Sequence, residues 1–222
     1  NRDAISAGAT PPLRLFAPPD SPIPPTVTAM AGILATVMET LGQKTAYLHG
    51  ILASDRENPT FIPEPYTMLY QRSLYQSMQS NVKLTFAAVK KINGGISEND
   101  REYLKELTAS EKDIIAVYAQ LLKRRLYSMK IRIHGNYHLG HFLVDGREFI
   151  LKDFEGSANK PMSERRIKRS PLRDVTSMIH SIYWASYYAL HRYLKVQQKD
   201  LSMLEPWADI WFAYLSSLFI RS

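Results

Sequence analysis

The sequence predicts a mainly α-helical fold that is interrupted once by a small β-hairpin. Apolar residues recur at three- and four-residue spacing, the pattern of one helix face, in the stretches 26–54, 66–92, 97–130, 171–196 and 201–220. Between the third and fourth stretches, short β-type runs flank Asp145-Gly146, a two-residue sequence typical of a tight hairpin. A short strand signal at 131–133 precedes this hairpin.

Capping residues place the boundaries of several helices. Asn93-Gly94-Gly95 ends the second predicted helix, and Ser97 with Asp100 resembles a capping box that opens the third. Ser110 and Asp113 mark a possible break inside that third helix. Ser170-Pro171 combines an N-cap residue with proline at the first helical position, so a new helix is expected to begin there.

The first 25 residues differ in composition from the rest of the chain. They are rich in proline, which removes backbone donors and favours extended segments. We therefore expect residues 1–25 to form a linker or a loop packed on another part of the protein. Residues 26–222 then form the helical domain that contains the hairpin.

Composition and charge exclude some classes of function. The chain of 222 residues has no cysteine, which rules out disulfides and thiolate metal sites. It has no apolar run long enough to span a bilayer and no signal-peptide pattern, so a cytoplasmic protein without membrane contact is expected. The net charge of +7 permits anionic partners.

Much of the positive charge lies in one segment, with Glu164 as the acidic residue among its cations: Lys160, Arg165, Arg166, Lys168, Arg169 and Arg173. Three interpretations are open: a nucleic-acid patch, a solvated face, or a segment that faces phosphate or braces a loop. No nucleic-acid-binding fold signature accompanies the run, so we do not expect a nucleic-acid partner.

The most informative segment is a turn that follows a strand and precedes the hairpin. It runs from His134 to His141, and the hairpin that follows ends at Asp153-Phe154-Glu155-Gly156. The hairpin returns the chain to its starting point, so Asp153 is expected beside the turn. Phosphoryl transfer requires such convergence, because one group orients the attacking hydroxyl while oxygen ligands hold Mg²⁺ on the nucleotide phosphates.

These residues resemble the catalytic loop and metal segment of aminoglycoside phosphotransferase-like kinases, and most closely those of maltokinases. The maltokinase pattern is roughly HGDYHLGQ, then DFEG, then SERRxKRSPLRDV. It is matched here by residues 134–141, 153–156 and 163–175, with further matches at 41–49 and 69–77. The resemblance covers about residues 41–190. It implies the C-terminal lobe of a protein kinase-like fold that begins just after the interlobe hinge.

The resemblance also assigns roles to residues. Asn136 stands where the family has its catalytic aspartate, while Asp153 and His141 stand at the Mg²⁺ positions. His134 and Asp174 match residues that support the catalytic loop. Substrate contacts are expected among the following: His138, Glu155, Tyr75 and Arg165. Tyr75 has an alternative role in helix packing.

Three departures from the family pattern bear on activity. Asparagine at 136 has no basic site and cannot take a proton, and histidine at 141 offers nitrogen where Mg²⁺ prefers oxygen. The glycine-rich loop and strand lysine of the N-terminal lobe, which hold ATP, have no counterpart in these residues.

Two functions follow from the resemblance. In the first, the longer parent protein transfers phosphate from ATP to maltose, giving maltose 1-phosphate, and this chain alone is inactive. In the second, the chain is a non-catalytic, pseudokinase-like module that binds sugar or docks on a trehalose synthase domain.

Overall fold

The computed structural model describes residues 29, 31–92, 98–145, 148–197 and 201–222. Within these ranges the side chains of 98, 99, 193–197, 201–204 and 207 are not described. The predictions for residues 1–25, for the Ser97 cap and for Gly146 in the hairpin turn lie outside the described residues. No helix in the described ranges has the length and apolar content needed to cross a membrane.

The described elements are helical apart from two short antiparallel strand pairs. In chain order they are α1 (Ile33–Leu52), β1 (Glu64–Pro65), α2 (Met68–Val89), α3 (Glu98–Ala109), α4 (Glu111–Ala119), β2 (Met129–Lys130), β3 (Phe142–Asp145), β4 (Glu148–Leu151), α5 (Met162–Arg165), α6 (Leu172–Gln197) and α7 (Leu201–Arg221). Short 3₁₀ turns occupy Gln120–Leu122 and Leu139–His141. The chain divides into two compact units, residues 1–63 with 131–222 and residues 64–130.

The first unit has its core between three long helices. α7 packs against both α1 and α6, and α6 also contacts the 3₁₀ turn that follows residue 138. Each helix contributes one apolar face, and the buried residues include Met38, Leu41, Met178, Ile182, Tyr214 and Leu218. Burial of a large side chain of this kind stabilises a fold by about 1.5–3 kcal/mol.

The second unit is a group of helices closed by a short strand pair. α2 packs on α4 and on the 3₁₀ turn after it, while β1 pairs with β2 in the register Glu64–Lys130 and Pro65–Met129. Buried Gln71 lies at the centre of this unit. Its amide donates to the carbonyls of Leu121 and Arg124, and its oxygen accepts from the Leu126 N–H at 3.1 Å.

The predicted hairpin is confirmed, and one predicted helix is wrong in its extent. β3 and β4 pair antiparallel from Phe142–Leu151 to Asp145–Glu148. The helix predicted over 97–130 breaks at Ser110, as its polar residues indicated, but α4 ends at Ala119. Beyond the 3₁₀ turn the backbone is no longer helical. Carbonyl and N–H groups in and after this turn form hydrogen bonds with the Gln71 side chain instead. The strand signal at 131–133 becomes a single bridge between Ile131 and Arg169.

Candidate functional site

The turn at 134–139 is held by one buried carboxylate at the start of α6. Asp174 is 1% exposed; its Oδ2 accepts from the His134 N–H at 2.9 Å and its Oδ1 from the Gly135 N–H at 3.0 Å. Gly135 has φ 82°, a conformation that glycine adopts without steric cost. A charged acceptor in the first helical turn is favoured by the helix dipole. Asp174 thus positions the backbone directly before Asn136.

A second bond ties the other end of the turn to the same helix. Ser181 Oγ accepts from the Leu139 N–H at 3.1 Å. Seven residues of helix separate this bond from Asp174, which is about 10 Å along the helix axis. The turn therefore lies along α6, with Asn136 between its two attachments.

His134 braces the turn from inside. Its Nδ1 accepts from the Asn136 N–H at 3.3 Å, and its Nε2 lies 2.9 Å from the Lys152 carbonyl, to which it donates. These two bonds require the ring proton on Nε2. His134 thus joins the turn to the chain that leaves the hairpin, and its role as support of a catalytic loop stays a prediction.

Tyr137 anchors the turn in the core. It is 1% exposed, and its hydroxyl lies 2.6 Å from Thr45 Oγ1, which itself donates to the Leu41 carbonyl. The tyrosine hydroxyl is therefore the donor in this pair. Burial raises the pKa of Tyr137 to about 12, so the hydroxyl stays protonated and keeps this role at neutral pH.

The hairpin brings Asp153 next to His141, as the sequence predicted. Asp153 Oδ2 lies 3.6 Å from His141 Nε2 and 3.1 Å from Lys152 Nζ. Asp153 also has φ 65°, a left-handed conformation that is uncommon outside glycine and that aspartate tolerates better than most residues.

The donor set around Asp153 does not fit a protein-held magnesium ion. Mg²⁺ requires oxygen ligands, whereas the neighbours of this carboxylate are an imidazole nitrogen and an ammonium group. Within the described ranges, no three His, Asp or Glu residues are placed to hold a metal ion. The metal role of Asp153 and His141 stays a prediction.

The remaining predicted substrate residues lie in different surroundings. Arg165 turns back on its own segment, where its guanidinium donates to the carbonyls of Lys160 and Ala158. Glu155 is exposed after the hairpin. Tyr75 belongs to the second unit, where its hydroxyl accepts from Gln79 at 3.1 Å.

A cleft of about 570 Å³ opens beside the turn. Its lining comprises the turn, two residues of the following loop and one face of α6: Gly135, Asn136, Tyr137, His138, Ser157, Lys160, Arg173, Thr176, Ser177, His180, Ser181 and Trp184. Asn136 and His138 are thus two predicted site residues that share a cavity. We call the lining residues of α6 (173, 176, 177, 180, 181 and 184) the α6 wall.

His138 contributes an uncharged ring to this cleft. Desolvation, with repulsion from His141 and His134, lowers its pKa. Its Nδ1 accepts from the Gly140 N–H at 3.2 Å, so the proton of the neutral ring lies on Nε2. His138 is therefore a hydrogen-bond donor toward any group that approaches Nε2.

The basic segment mostly braces the fold. Lys168 donates to the Pro59 carbonyl at 2.6 Å, and Lys160 and Arg169 both pair with Glu164. Arg173 differs, since its guanidinium is exposed and forms no ion pair with a described residue. Of the three interpretations of this segment, these contacts favour loop bracing, with Arg173 and Lys160 also facing the cleft.

Sequence reasoning named Arg173, in the basic segment, but not the other residues of the α6 wall. Its residues recur at spacings of three, one, three, one and three, which places them on one helix face opposite the buried Met178, Ile179 and Ile182. A polar stripe of this kind is also typical of an ordinary solvated helix face. The spacing alone does not distinguish a cleft wall from a solvated face. The contacts between α6 and the turn make that distinction.

Comparisons with solved structures show that the fold is similar to part of a glucosamine kinase. No protein-family model matches the chain. Similar solved structures include a glucosamine kinase in crystal form A, with TM-score 0.64 and 22% identity over 82% of this chain and 39% of that one. They also include a glucosamine kinase in complex with glucosamine, ADP and inorganic phosphate, with TM-score 0.66 and 22% identity over 84% of this chain and 41% of that one. The chain thus spans about two-fifths of the kinases it matches.

Proposed function

We propose that the protein containing this chain is a sugar kinase that transfers the γ-phosphoryl group of ATP to a sugar hydroxyl, with maltose as acceptor. The observation that carries the proposal is the position of Asn136, which is held between two backbone attachments at the edge of a polar cleft. The glucosamine kinase complex, which contains ADP, supports a nucleotide as donor. Since the chain covers only part of such kinases, the proposal concerns the longer protein.

The residues contribute positioning rather than proton transfer. Phosphoryl transfer passes through a loose transition state, so orientation of the acceptor hydroxyl supplies much of the catalysis. The Asn136 amide can accept from that hydroxyl but has no basic site to take the proton. Asp174 and Ser181 fix the backbone on both sides of it. The protein is therefore expected to be a slow kinase.

The test uses the full-length protein with ATP, Mg²⁺ and maltose, and it detects maltose phosphate by ³¹P NMR. Asn136→Asp should raise the rate by about 10²–10⁴, the usual contribution of a general base. Asn81→Asp, exposed on α2 and outside the cleft, is the matched control and should change the rate little. Absence of sugar phosphate from both the natural protein and Asn136→Asp would remove the proposal.

A second candidate is a non-catalytic, pseudokinase-like module that binds sugar or docks on a trehalose synthase domain. Two observations favour this candidate. Asn136 has no basic site, and the Asp153 carboxylate lies beside His141 and Lys152. In that case sugar binds, and Asn136→Asp produces no turnover.

A further inference from the structure

We propose that the α6 wall is an acceptor subsite which selects uncharged sugars of at least two rings, with Trp184 as the platform for the second ring. This inference rests on the proposed function for the direction in which the sugar lies, because the reacting ring is placed at Asn136. It assigns specificity to Arg173 and Trp184, which lie outside the catalytic turn.

The cleft lining is positively charged. The described residues lining the cleft include Lys160 and Arg173 and no carboxylate. Lys160 is compensated by Glu164, but the exposed Arg173 guanidinium forms no ion pair with a described residue. A protonated amino sugar would meet two cations and no carboxylate among these lining residues, and juxtaposed like charges select against a ligand. The cleft therefore disfavours glucosamine, the ligand in the glucosamine kinase complex.

Neutral hydrogen-bonding groups are the second argument. Ser157, Thr176 and Ser177 bring hydroxyls to the cleft, and Asn136 brings an amide. Hydroxyls both donate and accept, as do the hydroxyls of a sugar. A small number of placed polar groups on a concave surface is the usual composition of a ligand site.

The position of Trp184 is the third argument. It lines the cleft, is 61% exposed, and lies one turn beyond Ser181. Ten residues separate it from Asp174, which holds the Gly135 N–H next to Asn136, and this is about 15 Å along the helix. That distance exceeds the length of one pyranose ring. A sugar whose reacting ring lies at Asn136 thus reaches the indole only with a further ring, whose apolar face stacks on it.

Binding of three sugars by this chain tests the inference without any need for turnover. Isothermal titration calorimetry at pH 7 compares maltose, glucose and glucosamine, and protection of tryptophan fluorescence from acrylamide follows burial of Trp184. We expect maltose to bind most tightly and glucosamine least. Circular dichroism confirms the fold of every variant.

Two matched pairs of variants assign the effect to residues. Trp184→Ala should weaken maltose binding about tenfold and leave glucose binding unchanged, whereas Tyr188→Ala, which removes another exposed aromatic one turn further along α6, should change neither. Arg173→Glu should raise the glucosamine-to-glucose affinity ratio at least tenfold, while Arg192→Glu on the same helix should not.

Three results would overturn the subsite: no binding of any of the three sugars, glucosamine binding more tightly than maltose, or equal behaviour of Trp184→Ala and Tyr188→Ala. These results are separate from failure of the proposed function. Maltose that binds with the expected Trp184 dependence and yields no phosphorylated product in the full-length protein contradicts the kinase and supports the subsite. Product formed with no dependence on Trp184 supports the kinase and contradicts the subsite.

Discussion

In each unit of the molecule a buried polar side chain bonds to the backbone of an irregular segment, but the two side chains differ in charge. In the first unit, Asp174 accepts from two backbone N–H groups and lies 3.2 Å from His49 Nε2. In the second unit, Gln71 donates to two carbonyls and accepts from one N–H. Asp174 is 1% exposed and Gln71 is fully buried.

The difference shows what each segment presents to its partner. A carboxylate suits a turn whose N–H groups converge, since all its neighbours are donors and each bond is charge-assisted. A neutral amide suits the segment after a helix, where unpaired carbonyls of the helix end lie beside an N–H group of the following chain. The charge of Asp174 is thus stabilised by donors alone, and Gln71 avoids the cost of burying a charge.

Gln71→Glu should have the largest effect on stability, because it places a charge where the second unit has a neutral amide. The carboxylate that replaces the amide would face the carbonyls of Leu121 and Arg124, and we expect a loss of about 3–5 kcal/mol in the free energy of unfolding, as for an uncompensated buried charge. Chemical denaturation at pH 7 measures it. Gln76→Glu, exposed on the same helix, is the control.

The same variant predicts a pH dependence. Burial near carbonyls favours the protonated form of the introduced carboxyl group and raises its pKa in the folded state. The folded state then binds more protons than the unfolded state, so the stability of Gln71→Glu should recover as pH falls. A constant difference from the natural chain between pH 7 and pH 5 would contradict the buried position of this side chain.

Asp174→Asn makes the opposite exchange in the first unit and should have the next largest effect. The new amide presents N–H to a backbone N–H, which leaves a buried donor unsatisfied at a cost of about 2–3 kcal/mol. Hydrogen exchange of the His134 and Gly135 amides should accelerate more than that of the α7 core. Asp113→Asn, exposed in α4, is the control, and uniform acceleration throughout the unit would argue against a local role.

Of these two buried side chains, Asp174 could be predicted from the sequence and Gln71 could not. Asp174 was predicted as a loop support because a family resemblance named it, and the His134 to His141 turn and the hairpin follow local rules of strand and turn chemistry. Gln71 was not predicted, since a glutamine on a helix carries no signal for partners fifty residues away. For the same reason the third predicted helix was drawn too long.

In the candidate site, too, contacts between residues far apart in sequence could not be predicted. Asp153 was expected near the turn because a hairpin returns the chain to its start, and its contact with His141 agrees with that. Thr176, Ser177 and Trp184 were not identified, because helical spacing gives a shared face but not the object that the face adjoins. That information comes from the bonds of Asp174 and Ser181 to the turn.

Gly42→Ala tests whether the first unit depends on more than its polar contacts. A Cβ at Gly42 in α1 would collide with the backbone carbonyl of Phe219 in α7, so we expect a loss of about 1–3 kcal/mol from overpacking. Gly50→Ala in the same helix meets no atom within 4 Å and should instead stabilise by about 0.5–1 kcal/mol. Equal effects of the two variants would contradict the close approach of α1 and α7.

His49→Phe should have the smallest effect on stability, because it removes one of the three contacts of the Asp174 carboxylate. The ring volume remains, while the nitrogen that lies 3.2 Å from Asp174 Oδ2 is removed. Because the same oxygen still accepts from the His134 N–H, the carboxylate keeps a donor on each oxygen. We expect a loss of about 1 kcal/mol, the net contribution of one hydrogen bond. His191→Phe on the exposed part of α6 is the control. A loss as large as that of Asp174→Asn would mean that His49, rather than the backbone amides, is the main partner of this carboxylate.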